Sequence, residues 1–232
     1  MEGIWFRRYG NRIMETLQKI YSWLPQLLGG AWITVSLTIV SMSAGLVFGF
    51  FIALGKISKN IILKNVCAFY TFIFRGTPLL MQLFFIYYAL PAIFPQLTIN
   101  SRFLAAFIAF SLNCAAYCAE IIRAAIQSIN KEQYESSRVL GLSFMQTMRF
   151  VILPQSIKRL TPPIGNEFIM MLKDVSLVSM IALVDITRAM RSIENSTGSA
   201  LVYIPAMILY LVITAVFTAI FRRLEKKYSA FN

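Results

Sequence analysis

Five apolar stretches, each long enough to cross a lipid bilayer as a helix, constrain the fold of this chain more than any other feature. A helix crosses the hydrocarbon core, about 30 Å thick, with roughly 20 apolar residues. The stretches cover residues 31–54, 66–94, 103–122, 163–184 and 201–221. Charged residues make up 14% of the chain, against about 25% in soluble proteins. The sequence therefore predicts an all-α polytopic membrane protein with five transmembrane helices and a single membrane domain over residues 29–232.

The net charge is +12, and the basic residues lie mainly between these stretches. Basic residues that flank membrane spans are a commoner cause of such a charge than nucleic-acid binding. The segments 55–65 and 123–162 and the tail after residue 221 are rich in lysine and arginine, whereas the opposite loops hold Arg102, Arg188 and Arg191. Because cytoplasmic loops of membrane proteins are enriched in basic residues, we expect the C-terminus inside and the N-terminus outside.

The first 28 residues do not follow that rule, since they carry Arg7, Arg8, Arg12 and Lys19. They also lack the short apolar core and small-residue cleavage site of a signal peptide. We expect residues 1–28 to form an N-terminal periplasmic segment, with an amphipathic helix over 13–28 lying on the membrane surface.

The residue types needed for catalysis are missing or scattered. The chain has no histidine, and no serine, cysteine or carboxylate arrangement supports nucleophilic chemistry. Cys67, Cys114 and Cys118 lie in apolar surroundings, as buried structural cysteines do, and no zinc-type spacing is present. We expect no enzymatic activity, no metal site and no cofactor bound by this chain.

A polar segment interrupts the second apolar stretch. It begins at Arg75-Gly76-Thr77-Pro78 and continues through Leu79 to Gln82. Proline removes a backbone donor, and broken helices within a membrane are tolerated where they line a cavity or pack against protein. We expect exposed helix ends here, while Arg75 itself is expected to reach toward the cytoplasmic boundary.

Polar residues also occur inside the third and fourth stretches, and helical spacing places them on shared faces. Charged groups within a membrane require a partner or a watery cavity. One reading is a small cavity whose carboxylates meet a cationic group of a substrate; the other is an ion pair between Lys173 and a carboxylate that fixes helix packing. The residues are Asn113, Tyr117 and Glu120 on the third stretch, and Glu167 and Asp174 on the fourth.

A polar segment over residues 131–154 lies between the third and fourth stretches. It reads Glu135-Ser136-Ser137-Arg138-Val139-Leu140-Gly141, and after nine residues Val151-Ile152-Leu153-Pro154. The spacing predicts a short helix that Gly141 ends and a second helix that begins near Pro154. A charged helix of this kind at a bend between two spans favours docking by another protein.

This segment resembles the cytoplasmic coupling segment of ABC importer permeases, whose pattern is Glu-Ala-Ala, three residues, Gly, nine residues, Ile-x-Leu-Pro. Ser136 and Ser137 replace the two alanines, and Val151 replaces the isoleucine. The run Arg75-Gly76-Thr77-Pro78-Leu79 resembles the matching segment of the polar amino acid uptake subfamily of type I importers. The resemblance extends from about residue 29 to the C-terminus.

The resemblance implies a transmembrane permease subunit that carries polar, possibly cationic, amino acids into the cytoplasm across the bacterial inner membrane. It implies coupling to a separate ATPase dimer, which would bind ATP and magnesium, through Glu135, Ser136, Ser137, Arg138, Leu140, Gly141 and Pro154. It further implies a second permease copy, identical or a sister chain, and an extracytoplasmic solute-binding protein. For the substrate pathway it implies Thr77, Gln82, Glu120 and Asp174, with gating as the alternative role of Glu120. The break and the shared helix faces add the remaining pathway candidates, which are Pro78, Leu79, Asn113, Tyr117 and Glu167.

Three alternatives remain open at this point. The solute could be another small molecule, such as an opine or cystine. A self-sufficient secondary carrier would usually show internal repeats and more spans, and none is evident here. A membrane enzyme is opposed by the missing catalytic groups.

Overall fold

The computed structural model describes residues 2–229, and the side-chain surroundings of residues 14–227. These residues form helices, helical turns and short connections, and no strand occurs among them, as the all-α prediction requires. The α-helices are α1 (Glu2–Ile57), α2 (Ile61–Gly76), α3 (Leu79–Phe84), α4 (Leu90–Ile93), α5 (Arg102–Gln127), α6 (Lys131–Val139), α7 (Phe144–Thr147), α8 (Leu153–Asp174), α9 (Ile186–Thr197) and α10 (Tyr203–Ser229).

Helix α1 is continuous over 56 residues, with Pro25 inside it. At 1.5 Å per residue it is about 84 Å long, far longer than the hydrocarbon core is thick. The structure therefore has no break between the expected N-terminal segment and the first span. The part of residues 13–28 whose side chains are described is not separate from the bundle either, because Trp23 and Leu27 are buried against α9 and α10.

Helices α1 and α5 pack closely because small residues face each other along their contact. A side chain on Gly45 would meet the Cys114 side chain at 2.5 Å, and one on Gly49 would meet Cys118 Cβ at 2.8 Å. Such a small-residue stripe lets two helices approach within a membrane. Both cysteines are free and buried in this contact.

Two hydrophobic clusters organise the bundle. The larger cluster surrounds α5 and includes residues of α1, α3 and α8. The smaller one lies at the other end of α1, where Ile186 and Ile193 of α9 and Val202 meet the buried face of α1. Asp185 begins α9 and accepts hydrogen bonds from the backbone N–H groups of Thr187 and Arg188, at 3.0 and 2.9 Å. A buried carboxylate that caps a helix N-terminus satisfies donors that would otherwise be unpaired.

The second predicted span is a bent pair rather than one helix. Helix α2 ends at Gly76, and the helical segment Leu79–Ile93 leaves it at an angle of 103°. That second segment contains a π-helical turn over Phe85–Ala89. The turn lies just before Pro91, whose ring and missing N–H disturb the regular hydrogen-bond ladder.

The predicted count of five spans is not confirmed. Among the described residues three single helices are long and apolar enough to cross a membrane, and the bent pair makes four. The predicted fourth span differs because α8 ends at Asp174 and continues as a 3₁₀ turn over Val175–Ile181. Helix α8 is too highly charged for a span of this kind, with Lys158, Arg159, Glu167, Lys173 and Asp174 along its length.

Candidate functional site

The break between α2 and α3 is held by side-chain amides. Pro78 has no N–H, so the carbonyl of Phe74, four residues earlier, loses its helical partner. The Gln82 side chain donates to that carbonyl at 2.9 Å and to Thr77 Oγ1 at 2.8 Å. Asn113 on α5 donates to the same Phe74 carbonyl at 2.9 Å and to Gln82 Oε1 at 3.0 Å. The two amides therefore satisfy the polar groups that the proline exposes.

A cavity of about 320 Å³ opens beside this break. Three elements contribute to it: the broken span, the middle of α5 and the C-terminal half of α8. It brings together most of the residues expected in a substrate pathway. The lining consists of Arg75, Gly76, Thr77, Pro78, Leu79, Asn113, Tyr117, Glu167, Met170 and Asp174.

Charges of both signs line this cavity. The Arg75 guanidinium lies 5.3 Å from the centre of the Tyr117 ring, a cation–π distance. Glu167 and Asp174 contribute carboxylates from α8 to the same lining. Within the described part of the chain neither carboxylate is in an ion pair, so the pairing with Lys173 considered from the sequence is not formed.

Gln82 and Glu120 occupy other places. Gln82 is buried behind the cavity and supports its wall through the bonds described above. Glu120 accepts hydrogen bonds from Lys56 at the end of α1 and from Arg123, at 2.8 Å for Arg123 Nε. Lys56 also donates to Thr71 of α2 at 2.7 Å. Glu120 therefore joins three helices near their ends instead of lining the cavity.

The segment 131–154 contains a helix with a sharply defined end. Helix α6 stops at Val139, and Gly141 adopts a left-handed conformation with φ of +76°. The Gly141 N–H donates to the Arg138 carbonyl at 2.9 Å, and the Leu142 N–H donates to the Ser137 carbonyl at 3.0 Å. This pair of bonds defines a Schellman motif, in which glycine is strongly preferred.

One face of this segment is anchored and the other is exposed. Ser137 is buried, and Tyr134 packs against the main core, where burial raises the pKa of its phenol. Glu135, Ser136 and Arg138 are exposed. Four large apolar side chains are also exposed around them: Val139 (88%), Leu140 (78%), Phe144 (69%) and Met145 (71%). We call these four residues the apolar knob; they are exposed beside polar and charged residues, outside the helices that are apolar enough to span a membrane.

The knob is connected to the cavity by continuous helical structure. Helix α7, a π-helical turn over Met148–Ile152 and helix α8 follow one another without interruption from Phe144 to Asp174. Pro154 lies in the first turn of α8. Gln155 of α8 donates to Gln133 of α6 at 3.2 Å, which attaches α6 to the same helix. Phe144 and Met145 of the knob are thus joined to the cavity wall by unbroken helical structure.

Sequence reasoning missed three parts of this arrangement. Arg75 was expected at the membrane boundary, and its cation–π contact with Tyr117 depends on a partner in another helix. The role of Lys56 depends on Glu120, which is 64 residues away. Phe144 and Met145 lie in the expected coupling segment, but an apolar residue shows its exposure only in the folded chain.

Known proteins share this architecture. The family described as "Binding-protein-dependent transport system inner membrane component" matches residues 45–230. The glutamine transport system permease protein of Escherichia coli (strain K12) is 37% identical over 209 residues, which cover 90% of this chain and 95% of that protein. The L-cystine transport system permease protein of Bacillus subtilis (strain 168) is 38% identical over 208 residues, 89% of this chain and 88% of that protein.

A solved structure agrees with these relatives. A chain from the crystal structure of an amino acid ABC transporter with histidines superimposes with a TM-score of 0.85 and 37% sequence identity. The match covers 90% of this chain and 97% of that one.

Proposed function

The chain belongs to the family of binding-protein-dependent transport system inner membrane components, and on that premise we propose that it carries polar amino acids through the cavity beside Pro78. The chain is a multi-pass inner-membrane permease subunit of an ABC importer and not an enzyme. The observation that carries the proposal is that Arg75, Glu167 and Asp174 line one cavity.

The charge arrangement fits a zwitterion. The guanidinium of Arg75 offers donors to a carboxylate, and the carboxylates of α8 accept from an ammonium group. Relatives named for glutamine and for cystine support an amino acid as the solute. A cationic side chain would find a second carboxylate, since Glu167 and Asp174 both line the cavity.

We propose that a separate ATPase drives transport by docking on the apolar knob and on Glu135, Ser136 and Arg138, whereas the buried Ser137 anchors the segment to the bundle. The exposure of the knob supports this, because such side chains favour burial against a partner. ATP and magnesium would be bound by that partner. Closure of an ATPase dimer would move α6 and α7, and α8 would carry the motion to Glu167 and Asp174 as a rigid body.

The remaining partners follow from the same proposal. Two permease chains, identical or sister subunits, would enclose the pathway, and an extracytoplasmic binding protein would deliver the amino acid. The knob and the basic end of α10 would face the cytoplasm. The contact between Gly165 of α8 and Phe221 of α10 supports this orientation, because it puts the start of α8 and the end of α10 at one end of the bundle.

A pull-down tests the docking. Tagged chain is purified from native membranes in mild detergent, and co-purifying proteins are identified for the wild type, Leu140→Asp and Leu97→Asp. Leu97 is also an exposed leucine but lies outside the knob. We expect an ATPase with the wild type and with Leu97→Asp and its loss with Leu140→Asp. Equal recovery in all three would contradict docking at the knob.

Uptake measurements test the cavity. Cells that depend on this chain are given labelled glutamine, arginine or cystine at concentrations below saturation. We expect Asp174→Asn to lower uptake of the preferred amino acid about tenfold or more, because a hydrogen bond to a charged group contributes about 1.5–3 kcal/mol. Assembly should be unchanged. Glu15→Gln, which removes an exposed carboxylate of α1, should transport normally, and unchanged uptake by Asp174→Asn would reject the cavity assignment.

A further inference from the structure

A second cavity, of about 340 Å³, lies between α8 and α10 and takes no part in the pathway described above. Its walls are two facing helical stripes. Pro162, Gly165 and Asn166 contribute from α8, and Thr218 and Arg222 contribute from α10. Residues spaced three or four apart lie on one face of a helix, so the two stripes face each other along the helix contact.

The packing of aromatic rings explains why the cavity is located there. Phe168 of α8 contacts Phe217 and Phe221 of α10, with ring centres 4.6 and 5.3 Å away, and these rings fill the contact toward the middle of the membrane. Gly165 of α8 packs directly against the ring of Phe221, and Pro162 lines the cavity one turn before it. The cavity therefore has an aromatic wall at Phe221 and opens where Arg222 is exposed, one residue closer to the C-terminus of α10.

The opening of the cavity carries one positive and one negative group. Arg222 and Glu225 are separated by three positions, so they share the face of α10 that lines the cavity. Between described residues neither of them is in an ion pair. Thr218 and Asn166 add hydrogen-bonding groups beside them. Both charges are thus available to a ligand.

The position of this opening favours a lipid. Helix α10 continues beyond Arg222 with Arg223, Lys226 and Lys227, and basic residues at the end of an apolar helix lie at the boundary between membrane and water. Phospholipid head groups are present at that depth, and basic pockets between membrane helices are known to hold them. Ile169 and Phe221 extend the cavity wall with apolar surface suited to an acyl chain.

We propose that this cavity binds a phospholipid whose head group carries a phosphate and a primary ammonium. Arg222 pairs with the phosphate, and Glu225 accepts hydrogen bonds from the ammonium. The same pair of charges would also accept a free zwitterionic amino acid, but such a ligand leaves the apolar wall without a partner. The proposal depends on the membrane location of the chain and not on which solute it transports.

Lipid retention by the assembled transporter tests the proposal. The complex is purified in mild detergent and exchanged into phosphatidylethanolamine, phosphatidylcholine or phosphatidylglycerol, and bound lipid is counted by native mass spectrometry. We expect phosphatidylethanolamine to be retained best. Phosphatidylcholine has no N–H donor for Glu225, and phosphatidylglycerol has no cation.

Variants connect the preference to the two charges. Arg222→Gln should lower retention of phosphatidylethanolamine about fivefold, the effect of losing one basic contact at a lipid surface. Glu225→Gln should remove the preference for phosphatidylethanolamine over phosphatidylglycerol. The ratio of the two retained lipids can be measured even if this variant yields less complex. Arg223→Gln removes a neighbouring positive charge that does not line the cavity and should behave as the wild type.

Three results would overturn the proposal. Equal retention of the three lipids by the wild type would show that no head group is selected. An equal loss in Arg222→Gln and Arg223→Gln would show a general effect of charge. Displacement of phosphatidylethanolamine by free glutamine would assign the cavity to a soluble zwitterion instead.

Discussion

At the scale of single residues, Pro78 and Gln82 show how a helix can be broken inside a membrane without leaving polar groups unpaired. The proline removes the donor for the Phe74 carbonyl, and the Gln82 and Asn113 amides supply donors in its place. In hydrocarbon an unpaired backbone carbonyl costs several kcal/mol. Gln82 therefore supports the cavity wall rather than touching its contents.

We expect Gln82→Met to destabilise the protein by about 1–3 kcal/mol, the cost of leaving buried polar groups unpaired. The side chain keeps its length, so packing is changed little. The effect is measured as the midpoint of thermal unfolding in detergent, where unfolding is monitored by the loss of the monodisperse peak in size-exclusion chromatography. Gln96→Met, at an exposed position, provides the control, and equal midpoints for the two variants would contradict this role.

The sequence predicted the positions of single residues correctly where helical spacing was sufficient. It did not predict contacts with residues that are distant along the chain. Helical spacing put Asn113 and Tyr117 on one face, and both line the cavity. The same rule added Glu120, but Lys56 binds it instead. Spacing along one helix specifies a face, whereas the identity of the neighbouring helix is decided by the packing of the whole bundle.

At the scale of elements, the end of α6 depends on the left-handed conformation of Gly141. A side chain there would touch nothing within 4 Å, so its cost is backbone strain alone. We expect Gly141→Ala to cost about 1–2 kcal/mol locally, and Gly141→Asn to cost less because asparagine tolerates this conformation.

Hydrogen exchange of the Leu142 amide, which donates to Ser137, measures the Gly141 effect directly. Protection of that amide should fall about fivefold or more in Gly141→Ala, in line with a loss of at least 1 kcal/mol. Gly29→Ala, a helical glycine with open space around it, should leave this amide unchanged. Undiminished protection in Gly141→Ala would show that the turn does not need glycine.

The contact that joins the ends of α1, α2 and α5 gives a second prediction at this scale. Lys56 and Glu120 are mostly buried, with 14% and 16% of their side chains exposed. Glu120→Gln should destabilise the bundle by about 1–3 kcal/mol, because it leaves a buried lysine without its charged partner.

A double-mutant cycle separates the Lys56–Glu120 interaction from the individual losses. If the pair interacts as described, Lys56→Met combined with Glu120→Met should unfold at a higher temperature than the sum of the single effects requires. Additive losses in the thermal midpoint would show that the two side chains act independently.

Element boundaries also show where pattern reasoning stops. The sequence predicted the end of α6 because glycine has a specific conformational rule, whereas Pro154, expected to begin a helix, lies within helical structure that already starts at Phe144. The sequence did not predict the angle of 103° after Gly76, since the break is bridged by Asn113, a residue of another helix. It also did not predict that α8 ends at Asp174, because apolar residues continue well beyond that position.

At the scale of the whole molecule, one continuous helical path joins the region of the apolar knob to the charged cavity. The apolar knob lies at one end of the helical path from Phe144 to Asp174, and the cavity carboxylates lie near the other end. At 1.5 Å per residue this path is about 45 Å long, which is more than the hydrocarbon thickness. We propose that a protein docked at the knob moves groups within the membrane along this path.

The most direct test of this account is amino acid uptake by the assembled transporter in liposomes, measured together with ATP hydrolysis. Wild-type complex should take up its amino acid only with ATP. Leu140→Asp should abolish uptake and the hydrolysis coupled to it, whereas Asp174→Asn should lower uptake and leave the ATPase attached. Uptake that continues without ATP, or that survives Leu140→Asp, would contradict the coupling of the cavity to an ATPase through the knob.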